Sequence, residues 1–308
     1  MSYFDEMTAT ERIPDSHEHW AKYRQIVTDY IEKNCPVKDT GNGKRPILAL
    51  WGIGQAGDID IGRLAAGYKL VLIDRDEQAV REAVQRYGLT ESEYVIADIP
   101  FWRVDDDQYR LLDALLEDGA DLEHILEFFE RIARQNSGKY IGKTQTEPGT
   151  FDADRYLDIF DYSVAVGLHS QLNSRFAALL YHYRENYHDE DLRLISSAIS
   201  GLNESAVERL NDYMYHTTEK RLIYGYEVSA VTDFLEAEKI SERLNAGDLE
   251  TMKSISHIEG VSQLMGDISL HRGCDVDIID NKYMVWPFDT VSGQKNYVMG
   301  FVTMEKIS

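Results

Sequence analysis

The chain has 308 residues, of which 43% are hydrophobic and 11% aromatic, so it can bury a sizeable core and is not a disordered polymer. Lys and Arg total 32 against 54 Asp and Glu, a formal charge of −22. Such a field repels phosphate backbones and anionic lipid heads, which argues against nucleic-acid and membrane partners. No apolar run approaches the ~18 residues of a membrane span. The acidic opening MSYFDEMTATERIPDSHEHW does not read as a signal or transit peptide. The two cysteines, Cys35 and Cys274, fit neither a disulfide framework nor a zinc site. The expectation is an acidic globular protein of the cytoplasm.

In chain order, SHEHWAKYRQIVTDYIEK (16–33) reads as a helix. Trp20, Tyr23, Ile26, Val27, Tyr30 and Ile31 recur on one face, and Ser16 stands as its N-cap. PVKDTGNGKRP (36–46) reads as a linker, so residues 1–45 are expected to form a helical cap. From residue 46 apolar strands alternate with helices: ILALW (47–51), a helix from Asp58, KLVLID (69–74), a helix over 77–88, and YVIAD (94–98). Residues 104–155 interrupt that rhythm, with helices near 107–117 and 121–136, and read as an insertion that helps form a lid. DYSVAVG (161–167) resumes the pattern, followed by a helix over 174–186, one or two helices over 189–220, a strand over 220–228 and a helix over 233–247. KYMVWPF (282–288) and NYVMGFVTMEK (296–306) suggest a closing antiparallel hairpin. The fold class expected is α/β, a doubly wound, mostly parallel seven-stranded sheet with that hairpin at its end, spanning residues 46–308.

The glycine-rich GIGQAG (52–57) follows an apolar strand and opens a helix. Gly52, Gly54 and Gly57 let the backbone turn sharply and let a ligand approach closely. Asp74 lies about 20 residues beyond Gly52, at the end of the second strand, where a carboxylate can accept from both hydroxyls of a ribose. Asp98 ends the third strand, where it can accept from an adenine amino group. The plainer alternative is a tight turn with aspartates that only cap helices. The spacing also fits NAD or FAD, but Asp58 and Asp60 at the helix start oppose a pyrophosphate. S-adenosylmethionine carries a sulfonium and an ammonium instead, and suits an acidic crevice.

On ILALWGIGQAGD (47–58), KLVLIDRDEQAVREA (69–83), YVIADI (94–99), FDYSVAVGLHSQL (160–172) and the C-terminal hairpin, the sequence resembles the class I S-adenosylmethionine-dependent methyltransferases. The resemblance implies that Gly52, Gly54 and Gly57 hold the methionine part, that Asp74 holds the ribose, and that Asp98 lies near adenine, with Ile99 and Phe101 lining it. Two places before the first glycine, where that family has an acid, stands Leu50. The contact to the cofactor's amino group must then come from elsewhere, from Asp58 or the 167–171 segment.

In that family the loop after the fourth strand faces the transferring methyl, which here brings up His169 and Gln171. His169 is the candidate base, since its ordinary pKa is near neutrality; its plainer role is packing at the strand end. Gln171 is a candidate hydrogen-bond partner for cofactor or substrate, or else a helix-start polar residue. Tyr23 and Tyr30 are candidates to line an acceptor pocket, beside the plainer reading of a packed amphipathic helix. No metal site is expected: His182 and His188 are misaligned on one helix, the histidines of HEH (17–19) diverge, and DVDIIDN (275–281) lacks the EF-hand glycine and glutamate. The function expected is methyl transfer from S-adenosylmethionine to an oxygen or nitrogen of a small molecule, with homo-oligomerisation left open. An NAD(P)- or flavin-dependent oxidoreductase remains an alternative. So does a non-catalytic binding protein of the same fold, which Leu50 keeps open.

Overall fold

The computed structural model describes residues 3–4, 7, 13, 15–37, 44–99, 101–137, 159–255, 276–289 and 295–307. Cys274, the second half of the insertion and the centre of the hairpin turn lie outside them.

The strands are β1 (Ile47–Trp51), β2 (Lys69–Ile73), β3 (Tyr94–Ala97), β4 (Phe160–Val166), β5 (Thr218–Val231), β6 (Val276–Asp289) and β7 (Lys295–Lys306). They form one sheet in the order β3-β2-β1-β4-β5-β7-β6. β1 to β5 run parallel, and β7 runs antiparallel between β5 and β6. Strands buried on both faces need apolar side chains throughout, which is why ILALW and VAV carry no alternation. β1 lies between β2 and β4, with Leu48 beside Leu70 on one side and Tyr162 on the other. The order reverses there, so the loops after β1 and β4 diverge and leave a crevice at the strand ends.

The helices are α1 (Ser16–His19), α2 (Ala21–Asn34), α3 (Ile61–Ala65), α4 (Glu77–Tyr87), α5 (Asp106–Glu117), α6 (Leu122–Asn136), α7 (Ser174–His182), α8 (Asp189–Thr217), α9 (Phe234–Asn245) and α10 (Leu249–Ser254). On one face of the sheet α2, α3 and α4 bury Val27, Ile31, Leu64 and Val80 against Leu48, Leu50 and Phe301. On the other face α8 and α9 bury Leu210, Met214 and Leu244 with Ala49, Trp51 and Leu222. A third cluster joins α5, α6 and α7 to α8 through Leu112, Phe128, Phe176 and Ile195.

Four expectations shift. The first helix breaks at Trp20 into α1 and α2, and Ser16 does not cap it; Asp15, at φ 53°, precedes it without a side-chain bond. The helix expected from Asp58 starts only at Ile61, because the Asp60 carboxylate accepts from the Arg63 N–H (2.9 Å) and fixes the start there. Residues 189–217 form a single helix of 29 residues. The described helices of the insertion, each opened by an aspartate cap (Asp105 and Asp121), pack on α7 and α8. Asp106 reaches Arg75 (3.6 Å), next to the end of β2.

Candidate active site

The turn after β1 is tight. Gly52 has φ 67°, its N–H donates to the Ile73 carbonyl (2.8 Å), and a Cβ on it would fall 2.6 Å from the Leu168 side chain. The left-handed conformation favours glycine, and the contact requires it. The Gly54 N–H donates to Asp74 Oδ2 (2.7 Å), and the Asp76 N–H donates to Asp74 Oδ1 (2.8 Å). The Arg75 backbone N–H bonds the same carboxylate, so about one of its roughly four acceptor positions stays open to a ligand. Burial pushes the Asp74 carboxyl up to about 6, against the pull of those N–H groups. Asp74 and Asp98 line one cavity of about 320 Å³ together with Arg75, Glu77, Tyr94 and Ile96. Asp98 is exposed, and partial burial raises its carboxyl while Arg75 lowers it. Ile99 and Phe101 are not on that lining; they pack with Trp51 on the α8 and α9 face, the Phe101 and Trp51 rings 6.4 Å apart.

Trp20 closes the far side of the loop. A Cβ on Gly57 would fall 2.9 Å from its indole, so only glycine lets the ring sit there. Arg24 Nη1 donates to the carbonyls of Gly57 (2.9 Å) and His17 (2.7 Å). Asp58 is half-buried beside it, and its carboxyl is pushed up to about 6 by burial, with Arg24 lowering it and Glu227 raising it.

At the end of β4 a Cβ on Gly167 would lie 3.5 Å from Glu227 Oε1 and 3.4 Å from the Trp286 ring. Glu227, from β5, is 2% exposed, and burial raises its carboxyl. Ser170 and Gln171 hydrogen-bond this carboxylate, while its Oε2 has no partner. Tyr23 stacks on Trp286 (5.3 Å between centroids), and neither the Tyr23 hydroxyl nor Trp286 Nε1 has a partner. Of the two tyrosines singled out, Tyr23 reaches this place; Tyr30 does not, and its hydroxyl accepts from Thr303 Oγ1 (3.0 Å).

His169 is turned away. It is 0% exposed, its Nε2 engages Asn211 Oδ1 (3.0 Å), and its ring meets Tyr224 on the α8 face of the sheet. Burial pushes its pKa down to about 4. Buried on that face, it fits the plainer reading of packing at the strand end better than that of a base. The residue that sequence reasoning missed is Glu227. Its signal is a single acid inside the apolar run LIYGYEVSAV, where an unpaired charge would be costly. Among the described residues no group of His, Cys, Asp and Glu could hold a metal ion, and no helix is long and apolar enough to cross a membrane.

The strand order with its reversed β7 and flanking helices is that of a methyltransferase-like α/β fold. No family model matches the chain, and no curated protein does. Among solved structures, magnesium protoporphyrin IX methyltransferase from Synechocystis is 10% identical over 100% of this chain and 89% of its own, with a TM-score of 0.38. An S-adenosylmethionine-dependent methyltransferase from Methanosarcina mazei is 11% identical over 85% and 92%, with a TM-score of 0.37. A putative RNA methyltransferase from Pyrococcus horikoshii is 6% identical over 97% and 89%, with a TM-score of 0.38. At such identities and scores they decide neither activity nor acceptor.

Proposed function

We propose that this chain is an S-adenosylmethionine-dependent methyltransferase whose acceptor is a small molecule with an oxygen or nitrogen nucleophile. The observation that carries this reading is the Asp74 carboxylate, tied to the glycine loop at Gly54 and open toward the cavity it shares with Asp98. Asp74 keeps an acceptor position for a ribose hydroxyl beside its bonds to the Gly54, Arg75 and Asp76 N–H groups, Asp98 borders the adenine end, and the 52–57 backbone lies against the methionine part. Bound there, the cofactor supplies a methyl carbon on a sulfonium. Transfer from so electrophilic a carbon asks the protein chiefly for alignment and exclusion of water. Trp20, Tyr23 and Trp286 shield the β4 end, and Glu227 is the buried group beside it that can hold a proton.

A dinucleotide suits the site less well. At the start of α3 the Asp60 carboxylate already accepts from the Arg63 N–H, and Asp58 stands two residues before it, so a pyrophosphate would meet two acids. The net charge of −22 likewise favours a small acceptor over a polyanion. The test is calorimetric titration with S-adenosylhomocysteine. Wild type should bind, and Asp74→Ala should weaken binding at least about tenfold, since hydrogen bonds to a charged group contribute roughly 1.5–3 kcal/mol. No heat with wild type would remove the reading. Binding without turnover on any acceptor would favour the non-catalytic alternative, which rests on Leu50, fully buried and without a carboxylate to offer.

A further inference from the structure

At the end of the sheet opposite the glycine loop, β1, β4 and β5 begin around a cavity of about 450 Å³. Ile47 opens β1 there, Asp161 and Tyr162 stand at the start of β4, and Lys220 and Arg221 at the start of β5. β1 runs 5 residues from this cavity to the crevice, about 16 Å of strand, so the two places are separate. Acids outnumber lysine and arginine in the chain by 54 to 32, yet on this lining four cations meet two carboxylates. Both carboxylates are taken. Asp161 Oδ2 accepts from the Ile47 N–H (2.7 Å) and its Oδ1 from Lys220, while Glu305 Oε1 accepts from Arg221 Nε (2.8 Å). Arg221 is committed as well, with Nη1 on the Asn34 carbonyl (2.8 Å). Arg45 is not. Its Nη1 donates to the Ala65 carbonyl (2.6 Å), a neutral acceptor, which leaves four of its five N–H donors. The Glu93 carboxyl is lowered first by its bonds to Thr90 and only then by Arg45, and it lies outside the lining. Lys220 likewise keeps two of its three donors beyond the one on Asp161.

The surroundings define the ligand's chemistry. The charge of −22 is spread over the whole chain, and salt screens it beyond about 8 Å, so the lining's own excess of positive charge governs what binds here. A cation is repelled, and a neutral molecule leaves the excess unmatched. A carboxylate matches one of the two surplus charges; a phosphomonoester, at roughly −1.5 to −2 near pH 7, matches both. Below the charged rim the lining is apolar, with Pro36, Pro46, Ile47 and Tyr162, whose hydroxyl is held by the Pro36 carbonyl (2.9 Å). The volume is that of a small-molecule site, and a bare phosphate has nothing to lay on such a floor. We propose that this cavity is a second binding site, for a small organic phosphate, with the phosphate between Arg45 and Lys220 and the organic body on Pro46 and Tyr162. It goes beyond the methyltransferase reading and does not depend on it.

The test titrates phenyl phosphate and inorganic phosphate into the full chain at constant ionic strength. Phenyl phosphate should bind, and at least about fivefold more tightly than inorganic phosphate, since its ring buries apolar area on the floor. Arg45→Gln and Lys220→Gln, each checked for a wild-type-like melting transition, should weaken phenyl phosphate about tenfold, the usual effect of losing a hydrogen bond to a charged group. Lys239→Gln, an exposed lysine on α9, removes the same charge elsewhere and should leave binding unchanged. An equal loss in Lys239→Gln would mean that net charge alone attracts the ligand, and overturns the proposal. So does failure of phenyl phosphate to bind wild type, and so does equal affinity for the two probes, which would leave the floor without a role. Displacement of phenyl phosphate by S-adenosylhomocysteine would put the phosphate in the crevice and also overturn it. If S-adenosylhomocysteine fails to bind while phenyl phosphate binds as expected, only the methyltransferase reading falls, so the two failures are distinguishable.

Discussion

A carboxyl taken out of water keeps its proton to a higher pH, and Asp58 shows this with a pKa pushed up to about 6 by burial, helped by Glu227 and opposed by Arg24. An unfolded aspartate titrates near ~3.9. Below about pH 4 both states are protonated and the group costs nothing. Between about pH 4 and 6 the folded state holds more protons than the unfolded one, so stability falls as pH rises; above about 6 the full cost remains. Asp58→Asn keeps the shape without the charge. It should therefore stabilise the cofactor-free protein by about 1–2 kcal/mol at pH 8, after allowance for solvent at a half-buried site, and by nothing at pH 4. Thermal melts at the two pH values check this, and an equal gain at both would mean that burial of charge is not the cause. The same reasoning explains what could be read locally. GIGQAG announced a tight turn because glycine is favoured where φ is positive and required where contact is close. The surroundings of His169 could not be read locally, because the side its ring takes depends on α8, which supplies Asn211 from another part of the chain.

At the scale of elements, α1 and α2 act as a strap between the glycine loop and β6. Trp20 sits where the two helices break, rests on Gly57, meets Trp286 edge-on (4.9 Å) and donates from Nε1 to the Phe288 carbonyl (3.0 Å). Hydrophobic spacing over 16–33 announced a helix with an apolar face; it could not announce the break, because Trp20 is held by β6, far away in sequence. Trp20→Ala should cost about 2–4 kcal/mol in lost packing and one hydrogen bond. That loss falls mainly on the strap, so trypsin should cut earlier at Lys22 and Arg24 while the sheet resists. Cleavage no faster than in wild type would show that α2 is held by its own apolar face, through Val27 and Ile31, and not by the tryptophan.

For the molecule as a whole, charge is unevenly spread. The strand ends that carry the crevice gather Asp58, Asp74, Asp98 and Glu227. The opposite ends gather Lys44, Arg45, Lys220 and Arg221 with Asp161 and Glu305 around a cavity of about 450 Å³. Lys220 pairs with Asp161, and Arg221 with Glu305 (2.7 Å). The net charge of −22 opposes compaction through self-repulsion, which salt screens. Raising sodium chloride from about 0.05 to 0.3 M should lift the melting temperature by about 2–4 °C, the shift that roughly 1 kcal/mol produces in a large domain. A fall would show that surface pairs such as Lys33–Asp280 (2.7 Å) outweigh the repulsion.

The sequence by itself determined the parts whose physics is local. Continuous apolar runs became the central strands, aspartates became helix caps, glycines at the β1 turn made room for close approach, and Asp74 and Asp98 fell at the ends of their strands. The tertiary structure alone decided which side chains share the β4 end. Tyr23, Asp58, Glu227 and Trp286 come from α2, the β1 loop, β5 and β6, and no spacing in sequence relates them. Their meeting depends on β5 lying next to β4 and on β6 reaching back to α2. Those pairings are fixed by the burial of both sheet faces at once, a property of the assembled chain and of none of its segments.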